Sequence, residues 1–246
     1  MNSLPTNPSF NPRLVEHFAS FETRRGRWRL QCYLRLKRLL WRYLVNGSLL
    51  AKRALDWFAS LCALILLGPL FVLIAALIKF EDRGPVFFPQ TRIGRFGREF
   101  QMIKFRSMHP DAEQRLRGLL AKNHHDNGVT FKIRNDPRIT RVGGWLRKYS
   151  LDELPQFYNV LAGDMSLVGP RPPLPREVAL YSLADRRRLA VKPGITCIWQ
   201  INGRAEIDFT GQVELDVRYI ESRSLWQDIK ILCKTIPAVL RGTGAY

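Results

Sequence analysis

Apolar and polar positions separate along this chain into three zones. The most apolar is the middle one: from Trp57 to Ile78 there are 22 residues without a charged side chain. A straight helix of that length spans about 33 Å, close to the thickness of a bilayer's hydrocarbon core. A Gly-Pro pair, Gly68-Pro69, sits at the centre of its most apolar part, ALILLGPLFVLIAAL. Pro69 removes a backbone donor and clashes with the preceding turn, and Gly68 gives no side-chain support. Each half, Trp57–Leu67 and Leu70–Ile78, then reaches about 14–17 Å, roughly mid-bilayer. The pattern predicts a helix, a break and a second helix.

The zone before it, RRGRWRLQCYLRLKRLLWRYLVNGSLLAKR, mixes Arg and Lys with Trp28, Leu30, Tyr33, Leu34, Leu36, Leu39, Leu40, Trp41 and Leu44. This predicts a basic amphipathic helix suited to anionic lipid. A surface helix packed on a domain is the alternative. Lys52 and Arg53, at the mouth of the apolar run, are expected to snorkel to head groups. The opening MNSLPTNPSFNP lacks a charged n-region followed by an apolar core, so it reads as a flexible tail rather than a signal peptide.

Beyond Lys79 the pattern is that of a soluble domain. GPVFFPQTRIG and REFQMIKFRSM read as short strands around a turn punctuated by Gly94 and Gly97. PDAEQRLRGLLAK reads as a helix, and HHDNGVTFKIRNDPRIT as loop with one short strand. VGGWLRKYSLDELPQFYNVLAG predicts two helices parted near Ser150, the second ending at Gly163. SLVGPRPPLP reads as a rigid loop, REVALYSLADRRRLA as helix, and VKPGITCIWQINGR as a short strand or turn. Two helices close the chain, the last amphipathic. The class is α+β, mostly helical, with short strands. The divisions are 1–23 tail, 24–53 basic amphipathic extension, 54–80 broken apolar membrane helix and 81–246 soluble domain.

Charge bears on topology and on partners. The net charge is +18, which favours an anionic partner: nucleic acid, an acidic membrane or phosphorylated substrates. Before Ala54 there are 11 Lys/Arg and two acids; after Ile78 there are 28 Lys/Arg and 18 acids. Both flanks of the apolar run are basic, so the positive-inside tendency holds both on the cytoplasmic side. That favours a re-entrant hairpin over a span, with the span as the alternative. The four cysteines, Cys32, Cys62, Cys197 and Cys233, form no C-x-x-C pair and suit a reducing compartment. The adjacent His124 and His125 make a poor metal face.

Candidate chemistry lies in four stretches. In LRKYSLDELPQFYN, Ser150 and Glu153 fit a capping box. Asp152 and Glu153 are then first-turn acids that complement the helix dipole. A carboxylate there is also kept ionised, as a nucleophile or metal ligand needs. Nearby Arg147 and Lys148 suit phosphate oxygens. In GPRPPLP the prolines hold Arg171 extended. In MIKFRSM, Lys104 and Arg106 alternate along a strand, and NGRAEIDF offers Arg204. Neither GxxxxGK[ST] nor GxGxxG occurs, so a nucleotide would be held by scattered basic groups.

Taken in order, KRALDW, GPVFF-QTRIG, KFRSM, DPRITRVGGWLRKYSLDELPQFYNVLAGDMSLVGPRP, KPGITCIWQINGR and SLWQDIKIL resemble the bacterial sugar transferase family, the monotopic polyprenyl-phosphate phosphoglycosyl transferases. The resemblance runs from about Lys52 to Tyr246. It implies transfer of a sugar 1-phosphate from a UDP-sugar to polyprenyl phosphate, with release of UMP, at the cytoplasmic face of the bacterial inner membrane. It makes the apolar segment a re-entrant membrane helix broken at Pro69, with Gly68 where relatives often carry Ser. It assigns Asp152 as nucleophile and ligand of Mg²⁺, and Glu153 as a group acting on the polyprenyl phosphate. Lys104, Arg106, Arg147, Arg171 and Arg204 are then expected on phosphates. Anionic lipid is the expected surface, with no nucleic-acid partner. The last helix and the N-terminal extension are candidate surfaces for a homo-oligomer. A membrane-anchored nucleic-acid-binding protein and a non-catalytic lipid scaffold are the competing classes. The sugar is not legible.

Overall fold

The computed structural model describes residues 24–112, 114, 136–203 and 207–241. The expected tail, His124 and His125, Arg204 and most of the PDAEQRLRGLLAK and HHDNGVTFKIRNDPRIT segments fall outside them. Two compact units divide the chain, Met1–Ala51 and Lys52–Tyr246. In the first unit residues 24–51 are helical, and Trp28, Tyr33, Leu36 and Leu50 are exposed.

Twelve regular elements occur among the described residues. Helix α1 is Arg24–Leu66 and α2 is Gly68–Asp82. The break falls at Leu67, and the two helices meet at a bend of 60°. Pro69 lies in the first turn of α2, where a missing N–H leaves no helical bond unmade. No single described helix is long and apolar enough to cross a membrane. The bent pair keeps Phe58, Ile65, Leu66, Val72, Leu73 and Phe80 exposed, while Ile74 and Ile78 are buried.

Strands β1 (Phe87–Ile93) and β2 (Glu99–Phe105) form the expected hairpin, antiparallel with Gln90 opposite Met102. Helix α3 is Arg141–Lys148, N-capped by Thr140, whose side chain accepts from the Gly143 amide at 2.9 Å. Helix α4 is Gln156–Ala162 and ends at Gly163 in the left-handed conformation, as the sequence indicated. A second, two-stranded parallel sheet pairs β3 (Ser166–Val168) with β4 (Gly194–Thr196). SLV is therefore strand, not loop. These strands cross where only glycine fits: a Cβ on Gly194 would sit 2.1 Å from the Gly169 nitrogen. The stretch expected as one helix after Arg176 is broken: α5 is Pro175–Ala179, and a 3₁₀ segment covers Asp185–Ala190. Helices α6 (Ile198–Asn202), α7 (Phe209–Ser222) and α8 (Leu225–Arg241) follow.

Two apolar clusters set the frame of the second unit. One joins Phe100 and Met102 of β2 to Val160 of α4, Leu167 and Val168 of β3, Tyr219 of α7 and Ile231 of α8. The other joins Ile74 and Ile78 of α2 to Phe105, Leu146, Leu151 and Leu154. Polar pins reinforce both. Asn159 clamps β2, accepting from the Ile103 amide at 3.0 Å and donating to the Gln101 carbonyl at 2.7 Å. Lys52 and Arg53 do not snorkel. Lys52 reaches Asp228 at 2.6 Å, and Arg53 donates to the Val160 and Leu161 carbonyls at 2.6 and 2.9 Å. Asp56 accepts from the Leu167 amide. The KRALDW motif thus ties the base of the apolar pair to the core, with Asp228 and backbone carbonyls satisfying its cations.

Candidate active site

Asp152 and Glu153 lie on a 3₁₀ turn, Leu151–Glu153, between α3 and α4. Ser150 precedes it in the left-handed conformation, φ 55°, with no side-chain cap. The expected capping box is therefore absent: a left-handed Ser150 starts a tight turn rather than an α-helix. A non-glycine residue there costs about 1–2 kcal/mol, a strain of the kind found at functional sites. Leu151 and Leu154, on either side of the acids, pack into the α2 cluster. The apolar helix thereby fixes the height of the dyad.

The turn faces a cavity of 1190 Å³ that also meets β1, β2, α3, the Gly169–Leu174 loop and α8. Lys104, Arg106, Arg147 and Arg171 all line it, so four of the five expected cations converge on the expected acids. Their partners differ. Lys104 pairs with Glu153 at 2.7 Å. Arg106 is buried and committed to Asp82, with its Nε on the Pro85 carbonyl at 2.6 Å. Its guanidinium packs on Gly84, where a Cβ would meet it at 2.6 Å. Arg106 secures the end of α2 rather than presenting a free fork. Arg147 and Arg171 have no direct ion pair among the described residues.

The two acids are driven apart electrostatically. Burial pushes Asp152 above the usual aspartate value, against the pull of Lys104, and the charge of Glu153 adds to the rise. Burial also acts on Glu153, but Lys104 and Arg171 outweigh it and hold Glu153 below its usual value. Desolvation therefore opposes the ionisation of Asp152 that a helix terminus is expected to favour. Arg147 is pushed down by burial and supported by Asp152 and Asp136.

Three further charged groups line the cavity without a sequence signal of that placement. Arg92, of QTRIG, is buried and donates to the Pro172 carbonyl. Asp136 and Arg138, of DPRIT, form a buried pair at 2.5 Å beside Arg147. An isolated arginine in a strand gives no signal of its burial; the Asp-Pro-Arg spacing gives a local hint, because Asp136 turns back on the Arg138 backbone at 3.0 Å.

A cavity with two carboxylates and a ring of cations suits an anionic, phosphorylated substrate. The family model for bacterial sugar transferases matches residues 47–242. The chain is 51% identical over 200 residues to the galactosyl transferase CpsE of Streptococcus agalactiae serotype III, covering 81% of this chain and 44% of that protein. It is 44% identical over 200 residues to the exopolysaccharide production protein ExoY of Rhizobium meliloti, covering 80% of this chain and 88% of that one. It is 43% identical over 204 residues to the undecaprenyl-phosphate galactose phosphotransferase of Salmonella typhimurium, covering 82% and 43%. The chain thus spans under half the length of two of these relatives and most of ExoY. The match covers every element that builds the cavity, and the chain belongs to the bacterial sugar transferase family.

Proposed function

We propose that this chain transfers a sugar 1-phosphate from a UDP-sugar to a polyprenyl phosphate and releases UMP. The observation that carries this reading is the pairing of Asp152 and Glu153 at a cavity ringed by Lys104, Arg147 and Arg171. The relative named for undecaprenyl-phosphate galactose transfer supports the substrate classes.

Asp152 acts as nucleophile. Its carboxylate oxygen attacks the phosphorus attached to the sugar, and the bond from that phosphorus to the bridging oxygen breaks. UMP leaves with that oxygen, and the sugar phosphate stays on Asp152 as an acyl phosphate. An oxygen of the polyprenyl phosphate then attacks the same phosphorus, breaks the acyl-phosphate bond and restores the Asp152 carboxylate. Glu153, ionised beside Lys104, orients the incoming phosphate through that lysine. Arg147 and Arg171 offset charge on the transferring oxygens, where fixed cations in a dry site are most effective.

Mg²⁺ suits this donor set. Among the described residues no three His, Cys, Asp or Glu side chains come together as a metal cage. A magnesium ion needs only one or two carboxylates when substrate phosphates complete its shell. Asp152 would hold it, and the ion would neutralise the diphosphate as UMP departs.

The bent apolar pair seats the chain in the cytoplasmic leaflet of the inner membrane, entering and leaving on one side. Its exposed apolar side chains and the basic residues on both flanks support this. Because α2 packs under the dyad turn, a lipid phosphate at the interface lies within reach of Asp152. The test is UMP release by the full chain in nanodiscs with undecaprenyl phosphate, Mg²⁺ and a panel of UDP-hexoses and UDP-N-acetylhexosamines. Release from at least one donor is expected; none from any donor contradicts the reading.

A further inference from the structure

Between Gly169 and Leu174 the chain reads GPRPPL. Three of these six residues are prolines and have no N–H. A proline-rich segment can be held at those positions only by its carbonyls, so the donors must come from outside it. Three such bonds exist. The Gly194 amide donates to the Pro170 carbonyl at 2.9 Å, and the Ile93 amide donates to the Pro173 carbonyl at 2.9 Å. The third donor is a side chain: Arg92 Nη1 donates to the Pro172 carbonyl at 2.8 Å.

Arg92 is itself held. Its Nε and Nη2 both donate to Gln90 Oε1, at 3.1 and 2.7 Å. Gln90 and Arg92 share one face of β1, so the strand supplies both the guanidinium and its brace. Arg92 is 6% exposed and, among the described residues, has no direct ion pair. Burial and the nearby positive charge of Arg171 push its pKa down to about 10, which still leaves it cationic at neutral pH. A buried cation without a directly paired carboxylate is costly; three hydrogen bonds and the charges of Glu177 and Glu153 offset part of that cost. Pro170, Pro172 and Pro173 are buried while Arg171 between them is half-exposed to the cavity.

We infer that Arg92 is a positioning residue that fixes Arg171 against the dyad through the Pro172 carbonyl. The kinetic consequence rests on the phosphoglycosyl transfer reading; the geometry does not. Arg92 acts through Arg171, so removing either should remove the same contribution.

The experiment is a double-mutant cycle on the full chain in nanodiscs, with Arg92→Met, Arg171→Ala and both together. Arg92→Met should lower kcat/KM for the UDP-sugar about tenfold or more, since a displaced clamp is enough for that. Arg92→Lys should fall between it and wild type. In the Arg171→Ala background, Arg92→Met should change kcat/KM by less than about twofold. An equal loss in both backgrounds would overturn the inference. Should Arg92→Met fail to fold, the cycle is run with Gln90→Leu, which removes the brace and keeps the charge, and the same criterion applies. An activity-free readout separates this inference from the proposed reaction. Phenylglyoxal labelling of Arg171, mapped by mass spectrometry, should speed up severalfold in Arg92→Met or Gln90→Leu. An unchanged labelling rate contradicts the inference even if no donor releases UMP.

Discussion

Asp152 and Glu153 are adjacent in sequence, yet their surroundings push their proton affinities in opposite directions. Burial raises Asp152, and Lys104 with Arg171 lowers Glu153. Asp152→Asn is nearly isosteric, so it should keep the fold and melting temperature and reduce UMP release by at least about a thousandfold. Undiminished turnover would remove Asp152 from its role. The sequence named this dyad and four of the cations around it, because charged residues within short motifs are visible as such. It did not reveal Arg92 or the Asp136–Arg138 pair as cavity groups, since burial of an arginine depends on strands distant in the chain. Arg188 and Asp216 were also invisible; they form a buried pair at 2.5 Å in the second unit. Burial pushes Asp216 up to about 6, with Arg188 opposing the rise. A folded-state pKa above the unfolded value means the folded chain binds the proton more tightly. That contribution is fully present below about pH 4 and is lost as pH rises through about 6. The stability difference between wild type and Asp216→Asn should therefore shift in favour of wild type by about 2 kcal/mol as pH falls from 7.5 to 4.5. Melting curves of the two across that range check it; a shift of opposite sign contradicts the assignment.

At the level of elements, strong local signals were legible and weak ones were not. The β1–β2 hairpin, the Gly163 stop and the two closing helices follow from alternation, a left-handed cap and long periodic segments. Strand β3 reads as loop, and β4 only as a short strand or turn, because each is three residues long and largely buried, with no alternation to read. The capping box was misread because its residues fit the pattern, while the turn needs Ser150 at positive φ. Gly143 shows a close approach that the sequence hides. A Cβ there would sit 2.0 Å from the Ser107 carbonyl oxygen. Gly143→Ala should force α3 off the β2 exit, cost more than about 2 kcal/mol and lower the melting temperature; an unshifted melt contradicts that packing. The Pro69 break makes a different prediction. In wild type, cysteines placed on both flanks of the apolar pair should react with an impermeant reagent from the cytoplasmic side alone. Pro69→Ala should restore a donor at the break and move the pair toward a span. Flanks on opposite sides in wild type would contradict the re-entrant reading.

For the molecule as a whole, sequence and structure agree on a mostly helical α+β chain with an apolar segment broken into two helices; the structure adds a cationic cavity beside them. The link between the two was not legible. It lies in long-range pins: Lys52 to Asp228, Asp56 to the Leu167 amide, Arg106 to Asp82, and Glu81 to the Arg141 amide at 2.8 Å. These bonds join positions far apart in sequence, and each residue alone reads as surface charge. Chelation by EDTA should stop turnover and Mg²⁺ should restore it without a change in the melting curve; metal-independent turnover contradicts the proposed role of the ion. The central claim is that Asp152 carries the sugar phosphate between substrates. The most direct measurement is intact-protein and peptide mass spectrometry after mixing the chain with its UDP-sugar and Mg²⁺, with polyprenyl phosphate left out. The account predicts up to one equivalent of UMP and an added sugar phosphate on the peptide containing Asp152, both absent in Asp152→Asn. UMP release that requires the polyprenyl phosphate, with no adduct at any residue, would contradict it and point to direct transfer between the two substrates.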